Sequence, residues 1–155
     1  MRVLLAVDGS PHSDIAVEEV AERLWPEGTS VEVLTVIHAV APLALDPAFV
    51  LAAAHVEQTE TQRRLASTVT ETAAQKIRTK APHISVTTKV AEGIPKDAIV
   101  EEARDWDADL IVVGSHGYGR LKRMVLGSVA GAVVASAPCS VHVARGRHEL
   151  GDAAA

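Results

Sequence analysis

Short apolar runs alternate along this chain with longer stretches in which apolar residues recur every three or four positions. Residues 2–7 read as a buried strand that stops at Asp8 and Gly9. Ser10 and Pro11 then read as an N-cap and a first-turn proline. Ala16, Val17, Val20, Ala21 and Leu24 follow at helical spacing, and Pro26-Glu27-Gly28 ends that helix. Residues 30–37 are a second strand. Residues 56–80 predict the longest helix, with Leu65, Ala66, Val69, Ala73 and Ile77 on one face. The alternation over 84–90 predicts a strand with one wetter face or an edge position. Pro95 opens another helix with Asp97 in its first turn, residues 109–113 are a fully buried strand, residues 128–137 a helix ended by Pro138, and residues 140–144 the last strand.

Strand and helix therefore alternate five strands deep. Such alternation predicts a parallel sheet with right-handed crossovers and helices on both faces. Ligands of these sheets bind beyond the carboxyl ends of the strands, where the strand order reverses. Asp8 ends the first strand and Gly114 the fourth, so both belong to one crevice if those strands pair. The stretch 38–55 carries two prolines and few polar groups. Its plainer reading is a segment that completes the core; its sharper reading is a lid or a partner surface.

The run from Gly114 to Ser128 carries the chemistry. It leaves a buried strand and passes Gly114, His116 and Gly117. It then crosses a basic turn with Arg120, Lys122 and Arg123 and reaches Gly127-Ser128 at a helix start. Glycines let backbone approach an anion, and the following helix presents free N–H groups and the positive end of its dipole. Ser128 is placed to cap that helix or to give its hydroxyl to a phosphate. The run is neither a P-loop nor the dinucleotide motif that follows a first strand, because its phosphate site comes after the fourth strand. Asp8 has two readings, turn chemistry in Asp-Gly-Ser and a ligand contact, and its position at the switch in strand order favours the second.

Composition narrows the field. At 155 residues the chain predicts a single domain over 1–146 with a flexible tail over 147–155. A net charge of −5 and only four aromatic residues disfavour nucleic acid and anionic membrane as partners. No apolar run reaches the roughly 18 residues needed to span a bilayer. The lone Cys139 fits a reducing cytoplasm and reads as a small buried hydrophobe. Seven histidines show no tight metal-ligand spacing. The adjacent pairs Glu18-Glu19 and Glu101-Glu102 point apart on a helix and read as solvated faces. With no general base aimed at a water and no P-loop lysine, binding of a phosphate-bearing ligand is favoured over catalysis.

Four blocks in order, Val3 to Ser10, Glu92 to Pro95, Ala108 to Gly114 with Gly117 and Gly127-Ser128, and Pro138 to Val143, resemble the universal stress protein family in its ATP-binding form. The resemblance covers nearly the whole chain and departs at Ser140, where the family often has proline. It implies a Rossmann-like three-layer α/β sandwich with strand order 3-2-1-4-5, ATP with Mg²⁺ or another divalent ion as ligand, and often a homodimer. It places Asp8 at the ribose or a phosphate-bound metal and the Val36 backbone at adenine. It places Gly114, His116 and Gly117 along ribose and phosphates, with Val113 among the cofactor-binding residues, and Gly127, Ser128 and Val129 at the phosphates. On that resemblance ATP binding in a regulatory role is favoured over catalysis, with slow ATP hydrolysis or a nucleotide-free interaction module as alternatives. In that strand order Ser140 to Ala144 is an edge without proline or inward charge, so it predicts pairing with its own copy.

Overall fold

The computed structural model describes residues 1–38, 50–117 and 126–146. Nine elements alternate: β1 (Arg2–Ala6), α1 (Pro11–Glu22), β2 (Ser30–His38), α2 (Val50–Lys80), β3 (Ser85–Gly93), α3 (Pro95–Asp105), β4 (Leu110–Gly114), α4 (Ser128–Ser136) and β5 (Ser140–Ala144). The five strands form one sheet in the order β3-β2-β1-β4-β5, with every neighbouring pair parallel. This is the predicted α/β fold and strand order. It needs helical crossovers, because parallel neighbours cannot be joined by tight turns.

Alternate side chains of the central strands feed two cores. Val3, Leu5, Val31 and Val33 pack under α1 and α2 against Val17, Val20, Ala74 and Ile77. Leu4, Leu34 and Ile111 pack under α3 and α4 against Ile99, Val100, Ala130 and Val133. Val3, Leu4 and Leu5 are fully buried in succession, as expected of a strand covered on both faces. β3 is an edge, and its pattern of exposure matches the alternation in its sequence. β5 is the other edge. Its Val141 and Val143 already pack, half-buried, on the α3/α4 core.

Several boundaries move. α2 begins at Val50 rather than at 56, so the last part of the 38–55 stretch is helix; residues 39–49 lie outside the described residues. β1 stops at Ala6, and β3 runs on to Gly93 because β2 continues to pair with it as far as His38↔Gly93. α1 ends at Glu22, which leaves Leu24 93% exposed rather than on the helix's apolar face. Leu65 is also exposed, and Thr70 and Ala74 fill the buried stripe of α2 in its place. Thr70 satisfies its hydroxyl by donating to Ala66 O at 2.5 Å, and its oxygen can accept from the Thr35 hydroxyl 3.0 Å away.

One polar cluster is buried beneath α3. Glu32 of β2 and Glu102 of α3 are each 8% exposed and face one another, and Lys89 of β3 reaches Glu102 Oε2 at 2.5 Å. Burial, and then the charge of Glu102, push the Glu32 carboxyl up to about 7. Its Oε1 is buried with no hydrogen-bond partner.

Candidate functional site

The carboxyl ends of β1, β2 and β4 open onto a cleft of about 490 Å³. Ala6 is in register with Leu34 on one side and with Val113 on the other, so the cleft straddles the strand at which the order reverses. Its wall contains Asp8, Val36, Val113, Gly114, His116, Gly117, Gly127, Ser128 and Val129, all nine of the residues predicted from sequence. Arg120, Lys122 and Arg123 lie outside the described residues.

The first side of the cleft is the turn from β1 into α1. Gly9 takes φ +76°, which folds the chain back so that Ser10 N donates to Asp8 Oδ1 at 2.9 Å. Ser10 caps α1, accepting from Ser13 N at 3.3 Å, while Ser13 Oγ donates to Ser10 O at 3.0 Å. The turn-forming role of Asp8 is therefore present. Only one of its oxygens is taken up in that bond. The other, Oδ2, sits 2.8 Å from where a Cβ on Gly117 would stand. The Asp8 carboxylate thus reaches across to the loop after β4, and a side chain at position 117 would have to push that carboxylate aside.

The second side is the turn from β4 into α4. Gly114 packs against the backbone of α1: a Cβ there would lie 2.6 Å from His12 O and 2.9 Å from Ser13 N. Its glycine character serves helix-on-strand packing as well as the cleft. The His116 ring stands 5.2 Å from that of His12, centroid to centroid, at a 54° tilt. Gly127 N donates to Ser115 O at 2.8 Å, which pins the start of α4 back onto the end of β4.

Of the two roles open to Ser128, capping α4 is not the one it fills. The N-cap is Gly127, with φ −65° and ψ 160°, and no side chain caps α4. Ser128 is the first helical residue, and its side chain is exposed at the cleft. The first-turn amides of α4 and this hydroxyl are aimed where an anion would sit. That is the electrostatic character of the site: a helix start on one wall, the Asp8 carboxylate on the other.

Pro95 and Ile99 of α3, Leu34 and His38 of β2, and Ser13 of α1 also line the cleft and were not expected from sequence. Leu34 shares a strand face with Val36, and Ile99 lies one turn beyond Pro95, so both carried a signal once those neighbours were chosen. Ser13 carried none apart from its place three residues after the cap. With Val36, Val113 and Val129 these residues give one apolar end and one polar end, the arrangement of a site for a flat apolar group joined to an anion.

Cys139 is half-buried, and burial, followed by the charge of Asp109, pushes its thiol up. That is the opposite of an activated nucleophile. Among the described residues no group of three or more histidine, cysteine or acidic side chains could hold a metal ion. Nor is any helix among them long and apolar enough to cross a membrane.

The universal stress protein family model matches residues 1–145. A universal stress protein of Thermus aquaticus is 33% identical over 150 residues, which are 92% of this chain and 97% of that protein. One from Mycolicibacterium smegmatis is 34% identical over 149 residues, 94% of this chain and 46% of that protein, so the chain spans about half of that relative's length. The solved structure of universal stress protein UspA from Lactobacillus plantarum superposes with a TM-score of 0.77 at 30% identity, covering 94% of this chain and 97% of that one. Two more distant structures share the fold. One is a family protein from Arabidopsis thaliana with AMP bound (TM-score 0.68, 20% identity, 96% of this chain and 94% of that one). The other is a universal stress protein in complex with cAMP (TM-score 0.62, 21% identity, 94% and 96%).

Proposed function

This chain belongs to the universal stress protein family, and we propose that its cleft binds ATP and that the protein acts in the cytoplasm as a nucleotide-dependent regulator of a stress response. On this reading residues 1–146 are one functional unit. The observation that carries it is the start of α4 facing Asp8 at the polar end of a cleft whose other end is apolar. Val36 would meet the base, Gly114, His116 and Gly117 the ribose and phosphates, and Gly127, Ser128 and Val129 the phosphate oxygens. The volume falls in the range of about 300–1,000 Å³ typical of small-ligand sites.

A divalent ion fits only as part of the nucleotide complex. The described residues offer one nearby carboxylate, Asp8, with one oxygen already held by Ser10 N. Mg²⁺ is commonly bound through one or two carboxylates and the phosphates themselves. It would neutralise phosphate charge beside Asp8, and this chain's contribution would be to orient the phosphates.

Calorimetry with ATP, AMP and cAMP, each with and without Mg²⁺, tests the reading. One ATP per chain, bound more tightly with Mg²⁺ than without, is the expected outcome. Folded protein that binds no adenine nucleotide would sink the assignment, and sustained phosphate release would move the protein to the slow hydrolases. Gly127→Val should abolish binding. Its first side-chain carbon would stand 3.1 Å from both Ser115 O and His116 Cα, so the 115–117 loop must also shift.

We also propose a homodimer through β5, whose outer edge is unpaired among the described residues. Sedimentation should show a dimer at micromolar concentration. Val143→Pro should convert it to a monomer, because it removes one donor from that edge.

A further inference from the structure

The proposed edge pairing has a definite register. Ser115 N donates to Ala144 O at 2.9 Å, so the main-chain groups of Ala144 face β4. A residue's own N–H and C=O point the same way along a strand, and successive residues alternate. Ser140 and His142 therefore also bond inward to β4, and Val141 and Val143 point their N–H and C=O outward. A second copy meeting this edge about a two-fold axis can bond only through those outward groups. Over the five residues of β5, full use of them pairs Val141 with Val143 of the copy, and Val143 with its Val141. His142 then lies directly opposite His142 of the copy at a non-hydrogen-bonded position. Cα atoms there are about 4.5 Å apart and the side chains share one face.

That face is the α1 side, because His142 is in register with buried Val112. There His142 Nε2 lies 2.5 Å from Glu19 Oε2 of α1, with both side chains about 40% exposed. A space of about 340 Å³ adjoins the pair, bounded by Glu22, Arg23 and Trp25. The other charges there are engaged elsewhere: Glu22 accepts from Lys80 at 2.9 Å, and Arg23 stacks 4.8 Å over the Trp25 ring.

We propose that the two-fold axis of this dimer is a divalent transition-metal site of the zinc type, made by His142 and Glu19 of both copies. Two imidazole nitrogens and two carboxylates are a donor set suited to four-coordinate Zn²⁺. Each chain supplies half of it, so neither half counts as a three-ligand group among the described residues of one chain. The ion takes the place of the Nε2–Oε2 contact within each chain and ties the two edges together. The site rests on the β5 dimer and is independent of the nucleotide cleft.

Three measurements test it. Equilibrium dialysis of metal-stripped protein against Zn²⁺ should give one ion per two chains, beyond what His142→Ala protein binds. Sedimentation should show the dimer tightened at least tenfold by Zn²⁺, reversibly with chelator, in wild type but not in His142→Ala or Glu19→Gln. Oxidation of His142→Cys in a Cys139→Ser background should give a disulfide-linked dimer, because opposed non-hydrogen-bonded positions bring Cβ atoms into bridging range. A dimer that forms the disulfide but shows no Zn²⁺ effect overturns the metal site and keeps the pairing. A protein that is monomeric with and without Zn²⁺ overturns both. One ion per chain, or equal binding by His142→Ala, overturns the site.

Discussion

Two strand-to-helix turns face each other across the cleft, and they treat their polar groups in opposite ways. The turn from β1 into α1 satisfies itself: Asp8 holds Ser10 N, and Ser10 holds Ser13 N. The turn from β4 into α4 begins its helix on a glycine, without a side-chain cap, and leaves Ser128 exposed at the mouth of the cleft. Both helix starts carry the same partial positive charge. Among the described residues only α1 has a capping side chain on its first-turn donors, and α4 presents its own towards the cleft. The difference separates an anchor from a binding surface where the sequence motif, Gly and Ser near a helix start, looks alike.

The strongest way to break the comparison is Gly114→Val, since Gly114 is where the two turns press together. A side chain 2.6 Å from His12 O cannot be accommodated without moving α1 off β4. We expect a loss of about 3 kcal/mol in denaturant unfolding, at the upper end for overpacking. If stability is unchanged, the two turns are not mechanically joined.

The next effect concerns α3, which closes the apolar end of the cleft with Pro95 and Ile99. Glu32 beneath it is held at about 7, above the ordinary glutamate value of 4.5. A carboxyl whose folded pKa is raised contributes stability that is fully present below the unfolded value. That contribution is lost as pH rises through the folded one. Stability should therefore fall as pH rises from about 4.5 through about 7. Glu32→Gln, which keeps the shape of the protonated acid, should flatten that slope and stabilise the protein at pH 8. Thermal melts of both proteins across this range decide it. A wild-type curve that rises with pH in this window, or a variant with the same slope, removes Glu32 as the source. The two turns should accordingly be compared at one fixed pH.

Paired serine substitutions sharpen the contrast itself. Ser128→Ala should cost roughly 1.5–3 kcal/mol of ATP affinity, the worth of a hydrogen bond to a charged group, and leave the nucleotide-free melting point in place. Ser10→Ala should do the reverse, lowering stability by about 1 kcal/mol with affinity nearly intact. Melting curves with and without ATP read both quantities. Equal effects from the two substitutions would erase the distinction between the turns.

The cleft was legible from sequence because its parts sit at strand ends, and strand ends are marked by abrupt changes from apolar to Gly, Asp or Ser. What could not be read depended on distant partners. Ser128 and Gly127 differ by one position, and which of them caps α4 is decided by the bond from Gly127 N back to Ser115 O. β3 outlasts its alternating pattern because β2 keeps pairing with it. Leu65 and Leu24 fit the helical spacing yet lie in solvent: periodicity locates a face but not the width of what covers it. Glu32 was invisible as a buried acid, since a single charge inside a strand usually marks an exposed face and nothing local announces Glu102 above it.

The central place of β1 sets the order in which the molecule can be completed. β1 has one neighbour, β2, soon after it in the chain, but its other neighbour is β4, and the bond from Arg2 N to Asp109 spans 107 residues. During synthesis β1 can pair with β2 while its second side stays open until β4 emerges. From Ser30 to Leu110 that is about 80 residues, or roughly 4–16 s at 5–20 residues per second. Throughout that interval one edge of a strand whose centre ends up fully buried is exposed to other nascent chains. Asp8, at the tip of that same strand, meets Gly117 only after β4 has docked. The ligand cleft is thus among the last features to form, and a nucleotide that binds it acts on a chain whose sheet is already closed.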